Sequence, residues 1–122
     1  SPALNERRPY FHRSQVEKVK AARDSMVADL SAGFSARETA ERVGLPLTAF
    51  KACFKGVYGM PPFAYLRARR MERAAQLLRD TGLRVADIGL MVGYDSPSKF
   101  TAAFKDVIGQ TPTAYRRARE AR

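Results

Sequence analysis

A single cysteine, Cys53, stands in a chain of 122 residues, so no disulfide can close within it. A reducing compartment, the cytoplasm, is therefore expected. No apolar run approaches the roughly 20 residues needed to span a bilayer, and no segment resembles a secretory signal peptide. Metal-ligand clusters, glycine-rich phosphate loops and catalytic-triad patterns are also missing, which argues against an enzyme and against a cofactor. Acidic residues are scarce. Twelve Asp and Glu face 22 Lys and Arg, giving a net charge of +10 and a pI near 10.4. Such an excess points to a polyanionic partner: nucleic acid, an acidic membrane surface or an acidic protein. A merely solubilising charge is the plainer alternative.

The rest of the composition is that of a soluble globular protein, 45% hydrophobic and 28% charged. The length allows one compact core, or two small lobes sharing a helix. The chain opens with Ser-Pro rather than Met, and we expect a piece of a larger protein with further domains.

What is present is a repetition. "FKACFKGVYGMPPFAYLRARR", Phe50 to Arg70, returns as "FTAAFKDVIGQTPTAYRRARE", Phe100 to Glu120, with twelve of 21 positions identical and no gap. The repeat extends backwards. "FSARETAERVGL" lies over "LRVADIGLMVGY" at an offset of 49, and one extra residue in the second copy raises the offset to 50.

Apolar spacing predicts helices throughout. Residues 1–13, with two prolines and no periodicity, read as an arm or linker end. From Ser14 to Leu30 the apolar residues recur at three- and four-residue steps, with Ser14 as cap and Gly33 as terminator. Ser35 and Glu38 have the spacing of a capping box, and Gly44 suits the left-handed residue that stops a short helix. Beyond Pro46, Leu47 to Tyr58 forms a second helix with Phe50, Phe54 and Val57 on one face. A long helix follows from about Phe63 to Arg79, with Leu66, Met71, Ala74, Leu77 and Leu78 inward and Gly82 closing it. Ser96-Pro97 and Thr111-Pro112 each combine a capping hydroxyl with a proline at a position whose amide needs no partner. The final helix runs from Pro112 to about Arg119. No segment alternates as a half-buried strand does. The expected fold is all-α, about seven helices, with each repeat a helix-turn-helix.

In a helix-turn-helix the second helix enters the DNA major groove, and one such helix reaches only a few base pairs. Most such proteins dimerise to place a second helix about 34 Å along the same face. A tandem repeat could do this in one chain. A linker helix of about 17 residues at 1.5 Å each is roughly 25 Å long, which suggests two recognition helices about one DNA turn apart.

Phe34 to Arg117 resembles the DNA-binding domain of AraC/XylS-type bacterial transcription regulators, over about 84 of the 122 residues. The most specific part is "VADIGLMVGYDSPSKFTAAFKDVIGQTPTAYRR", Val85 to Arg117, with Val92-Gly93-Tyr94, Phe104-Lys105 and Thr111-Pro112. Val43-Gly44-Leu45, Phe54-Lys55 and Glu72-Arg73-Ala74 fit the first unit and linker helix. The resemblance implies a bihelical domain over residues 14–119: a first unit at 14–60, a linker helix at 61–81 and a second unit at 82–119. It further implies asymmetric promoter sites, contact with RNA polymerase, a bias towards activation, and a separate effector domain that receives a small molecule.

With Phe50, Phe54 and Val57 inward, Leu47, Thr48, Lys51, Ala52 and Lys55 face outward. Matching the family's motif places base contacts at Thr48, Lys51 and Ala52, and Lys55 near phosphate. In the second unit Phe100, Phe104 and Ile108 are core. Pro97, Ser98, Lys99, Thr101 and Ala102 form the front, and Lys105 meets the backbone. Ala52 and Ala102 depart from the family, several of whose members carry a long polar or basic side chain there. Direct readout is thus expected to be sparse and DNA shape to contribute more.

Other basic residues have competing readings. Arg70 and Glu72 suit structural ion pairs on the linker helix. Arg116, Arg117 and Arg119 suit either phosphate contacts or a solvated end. Amides near Ser96 and Thr111 suit phosphate. Cys53 could be a nucleophile, but its place beside Phe54 and the absence of a nearby His favour a small buried hydrophobe. An RNA-binding module would expose aromatics, which here fall on core positions. A membrane-surface helix would gather its basic residues along one face, whereas these are spread over several helices.

Overall fold

Seven helices, without a strand, build residues 11–120, the part of the chain that the computed structural model describes. In chain order they are α1 (Arg13–Ala28), α2 (Ala36–Arg42), α3 (Leu47–Tyr58), α4 (Pro62–Asp80), α5 (Val85–Met91), α6 (Pro97–Ile108) and α7 (Pro112–Glu120). The all-α expectation holds. Most of the arm, residues 1–10, lies outside the described residues.

Both ends of α1 differ from their sequence expectations. Ser14 is not the first cap: the His12 carbonyl already accepts the Val16 amide, and Gln15 reaches back to accept the His12 amide. That satisfies an amide at the helix start two residues early. Nor does Gly33 end α1. The Asp29 carboxylate accepts both the amide and the hydroxyl of Ser31 at 3.0 and 2.6 Å, which turns the chain before Leu30. These bonds also hold the Asp29 carboxyl below its ordinary range.

The chain folds into two compact units. The first comprises the described residues through Met26 together with Phe34–Tyr65; the second comprises Val27–Gly33 and the residues from Leu66 onward. Each has its own core. Val19, Ala22, Met26, Ala40, Leu45, Phe50, Cys53, Phe54 and Tyr65 are buried in the first. Met71, Ala74, Leu77, Leu78, Ile88, Val92, Phe100, Ala103, Phe104 and Tyr115 are buried in the second.

The repeat in sequence is a repeat in packing. Phe50 and Phe54 lie 5.9 Å apart, and Phe100 and Phe104 lie 6.0 Å apart. Tyr65 meets Phe54 edge-on at 5.4 Å and 75°, and Tyr115 meets Phe104 at 5.5 Å and 76°. Such edge-to-face pairs each contribute about 0.5–1.5 kcal/mol beyond area burial. Both tyrosine hydroxyls accept an arginine: Arg23 Nε at 2.7 Å and Arg79 Nη1 at 2.6 Å. Each unit therefore has the same plan, a leading helix, a helix-turn-helix and a closing helix. The first turn of α4 closes the first unit, and the remainder of α4 leads the second.

Three arginines hold the second unit's backbone. Arg70, 9% exposed, donates to the carbonyls of Leu30 and Ala32 at 2.9 and 2.8 Å. This seats the loop 27–33 on the second unit, although the sequence order places it in the first. Glu72 forms a structural ion pair, with Arg69 at 2.8 Å, whereas the structural role of Arg70 runs through carbonyls rather than a carboxylate. Arg116 donates to the carbonyls of Leu78, Thr81 and Leu83. It finishes α4, helped by Thr81, whose hydroxyl donates to the Leu77 carbonyl. Gly82, expected to close α4, has no left-handed backbone. Arg119 lies 3.6 Å above the Tyr115 ring.

Candidate nucleic-acid interface

The two helix-turn-helix units are α2–α3 and α5–α6. Both turns use the same device. After α2 the Gly44 amide donates to the Glu41 carbonyl, and the Leu45 amide to Ala40. After α5 the Gly93 amide donates to Leu90, and the Tyr94 amide to Gly89. These paired bonds satisfy helix-end carbonyls and require a left-handed residue at the glycine. Gly44 and Gly93 supply it with φ of 76° and 92°.

The starts of α3 and α6 differ. Pro46 precedes α3 and gives no side-chain cap. Ser96 precedes α6, where its hydroxyl accepts the Lys99 amide, and Pro97 occupies the first turn. Thr111 likewise accepts the Ala114 amide ahead of α7. The phosphate role expected of these amides is thus left to those which the hydroxyls do not take.

The inward faces of α3 and α6 are set by the aromatic cores. Phe50, Cys53 and Phe54 are buried in α3; Phe100, Ala103 and Phe104 in α6. Val57 and Ile108, expected in the core, are half-buried at its edge. Cys53 is fully buried, and burial pushes its thiol up. A neutral thiol without access is a poor nucleophile.

The opposite faces are open. Thr48, Lys51, Ala52 and Lys55 are exposed on α3, with Leu47 half-buried at its start. Pro97, Ser98, Lys99, Ala102 and Lys105 are exposed on α6, with Thr101 half-buried. Lys51, Lys55, Lys99 and Lys105 form no ion pair with another described residue. Their charges remain available to an outside anion. The acid next to Lys105 is already engaged: Asp106 takes Arg67 at 2.6 Å. Sequence reasoning missed this pair and the carbonyl clamps of Arg70 and Arg116. The only sequence signal was that Asp106 replaces Gly56 in the other copy. Among the described residues no group of three or more His, Cys, Asp or Glu could hold a metal. No described helix is long and apolar enough to cross a membrane.

Comparison with known proteins agrees with this geometry. A family model described as a helix-turn-helix domain matches residues 39–118. The virulence regulon transcriptional activator VirF of Yersinia enterocolitica is 38% identical over 69 residues, 57% of this chain. That segment is 26% of VirF, so the chain spans about a quarter of this relative's length. The C-terminal domain of AraT, a response regulator from Geobacillus stearothermophilus, superposes with a TM-score of 0.80 at 32% identity. The match covers 84% of this chain and 85% of that one. The DNA-binding domain of the global transcriptional factor AdpA, solved with a target DNA, shares the fold. Its TM-score is 0.81 at 24% identity, over 85% of this chain and 94% of that one. The chain belongs to the AraC/XylS-type transcription regulators, as a helix-turn-helix DNA-binding domain of that family.

Proposed function

We propose that the chain recognises a particular DNA duplex of about 20 base pairs, with α3 and α6 each reading one of two successive major-groove segments. The observation that carries this reading is the pair of second helices whose inner faces are fixed by Phe50–Phe54 and Phe100–Phe104. Their outer faces then present unpaired lysines at matching positions, Lys55 and Lys105. Thr48, Lys51 and Ala52 on α3 meet base edges, as do Ser98, Lys99, Thr101 and Ala102 on α6. Leu47 and Pro97 pack at the groove's edge. Lys55 and Lys105 neutralise phosphates, with the free amides at the starts of α6 and α7 assisting. Lysine donates to guanine acceptors and threonine reads a thymine methyl or donates a hydrogen bond. The small Ala52 and Ala102 allow close approach and shift discrimination towards DNA shape.

In its full setting this unit serves a cytoplasmic activator that contacts RNA polymerase and answers to a small molecule through another domain. VirF, named an activator, supports that direction. In sequence order the residues divide at 14–60, 61–81 and 82–119 into first reader, linker helix and second reader, with the loop 27–33 packed in the second compact unit.

Selection of bound duplexes from a random pool tests the reading. The expected result is one enriched site with two conserved segments about one helical turn apart. Equal binding of enriched and random duplexes at every salt concentration would sink it.

A further inference from the structure

Gly56 lies inside α3, two residues before the helix ends, where glycine costs stability relative to alanine. The Phe11 ring explains its presence. A β-carbon at Gly56 would fall against the ring edge, 3.2 Å from Cζ and 3.3 Å from Cδ2, with Cε2 closer still. The ring therefore rests in the space which the glycine leaves open. Phe11 is half-buried, and its neighbour His12 is fixed at the start of α1 by Gln15 and Val16.

The second unit has a brace at the same place. Arg23 and Arg79 are equivalent, since each donates to the closing tyrosine of its unit. Phe11 lies twelve residues before Arg23, and Arg67 twelve before Arg79. Gly56 lies nine residues before Tyr65, and Asp106 nine before Tyr115. Where the second unit braces α6 with the Arg67–Asp106 ion pair, the first uses a ring in a notch. The two positions exchanged chemistry together: Phe with Gly, Arg with Asp.

We infer that Phe11 is a positioning residue for α3, setting the angle of that helix through Gly56. The inference rests on the proposed DNA-reading role of α3. Phe11 thus governs how well the first reading helix is held. Without the ring, α3 keeps Phe50 and Phe54 on its inner face and the Tyr58–Tyr65 contact at its end, but loses its support at Gly56. Selectivity in the base pairs that α3 reads should suffer while those read by α6 keep theirs.

Two readouts on the whole chain test this. In the free protein, Phe11→Ala should speed amide exchange in α3 about tenfold relative to α6, since loss of a local contact opens the segment it covers. Phe11→Tyr, which keeps the ring, should match the parent. On the enriched duplex, Phe11→Ala should lower discrimination against base changes in the α3 segment about tenfold, the scale of one lost base contact. Gly56→Ala is the decisive variant. Helix propensity alone predicts a tighter α3; eviction of the ring predicts a looser one. In the Phe11→Ala background the same substitution should become favourable. Unchanged or uniformly faster exchange in Phe11→Ala, or a Gly56→Ala chain with slower α3 exchange, would overturn the inference. If the parent discriminates between no duplexes, the DNA-reading proposal fails, and amide exchange still decides the brace.

Discussion

The proposed function gives different work to two exposed lysines on α6, six residues apart. Lys99, on the first turn, is the proposed base reader; Lys105 lies about 1.7 turns further along. Lys99→Ala should cost about 1–3 kcal/mol on the enriched site and relax preference at one position. Lys105→Ala should weaken all sequences alike and reduce the salt slope by about one. Competition titrations at several salt concentrations separate the two, and equal losses on specific and random DNA would remove the base-reading role. Arg116 shows the contrary case, a basic residue whose Nε, Nη1 and Nη2 each already hold a carbonyl. It supplies three hydrogen bonds to the carbonyls that end α4. Arg116→Ala should destabilise the fold by about 2–3 kcal/mol, because charge-assisted bonds are lost and partly buried carbonyls stay unpaired. A thermal midpoint within experimental error of the parent would refute that account.

Among the elements, the two turn glycines look interchangeable in sequence and are not so in space. Both have positive φ, which costs an L side chain about 1–2 kcal/mol. A β-carbon at Gly44 meets only Lys18 Nζ, at 4.0 Å. At Gly93 it would lie 2.9 Å from the Leu30 carbonyl and 3.0 Å from the Arg70 guanidinium. Gly93→Ala should therefore be the more damaging by about 1–2 kcal/mol, since the loop 27–33 and its arginine must shift. Chemical denaturation of both variants measures the gap; equal midpoints would show that the loop yields freely. This difference also marks how far the sequence could be read. Helix number, the boundaries of α3, both turn glycines, and the caps Ser35, Ser96 and Thr111 were legible, because each is a local signal of periodicity or backbone geometry. The start and end of α1 were not. Gln15 reaching back to His12 and the Asp29–Ser31 turn mimic no strong pattern, and Ser14 and Gly33 were the conspicuous residues nearby. The outward faces of α3 and α6 followed from their aromatic stripes. The partners of Arg67, Arg70 and Arg116 lie 39, 40 and 38 residues away, beyond any local rule.

At the scale of the whole molecule, the proposed reading by two helices makes spacing a variable. α4 has 19 residues and so is about 28 Å long at 1.5 Å per residue. Inserting five base pairs between the two segments of the enriched site turns one of them by about half a helical turn to the opposite face. Affinity should then fall to that of a single-segment site; inserting a full turn should not restore it, because α4 does not stretch. Gel-shift titration of the spaced duplexes checks both, and indifference to spacing would mean that only one unit reads.

The loop 27–33 carries a consequence for anyone who divides this chain. It is encoded ahead of the first helix-turn-helix, yet its carbonyls satisfy Arg70 of the second unit. A fragment beginning at Leu66 retains that guanidinium and loses its acceptors. The second unit is thus built from two stretches of chain, and a cut at Leu66 does not release it whole.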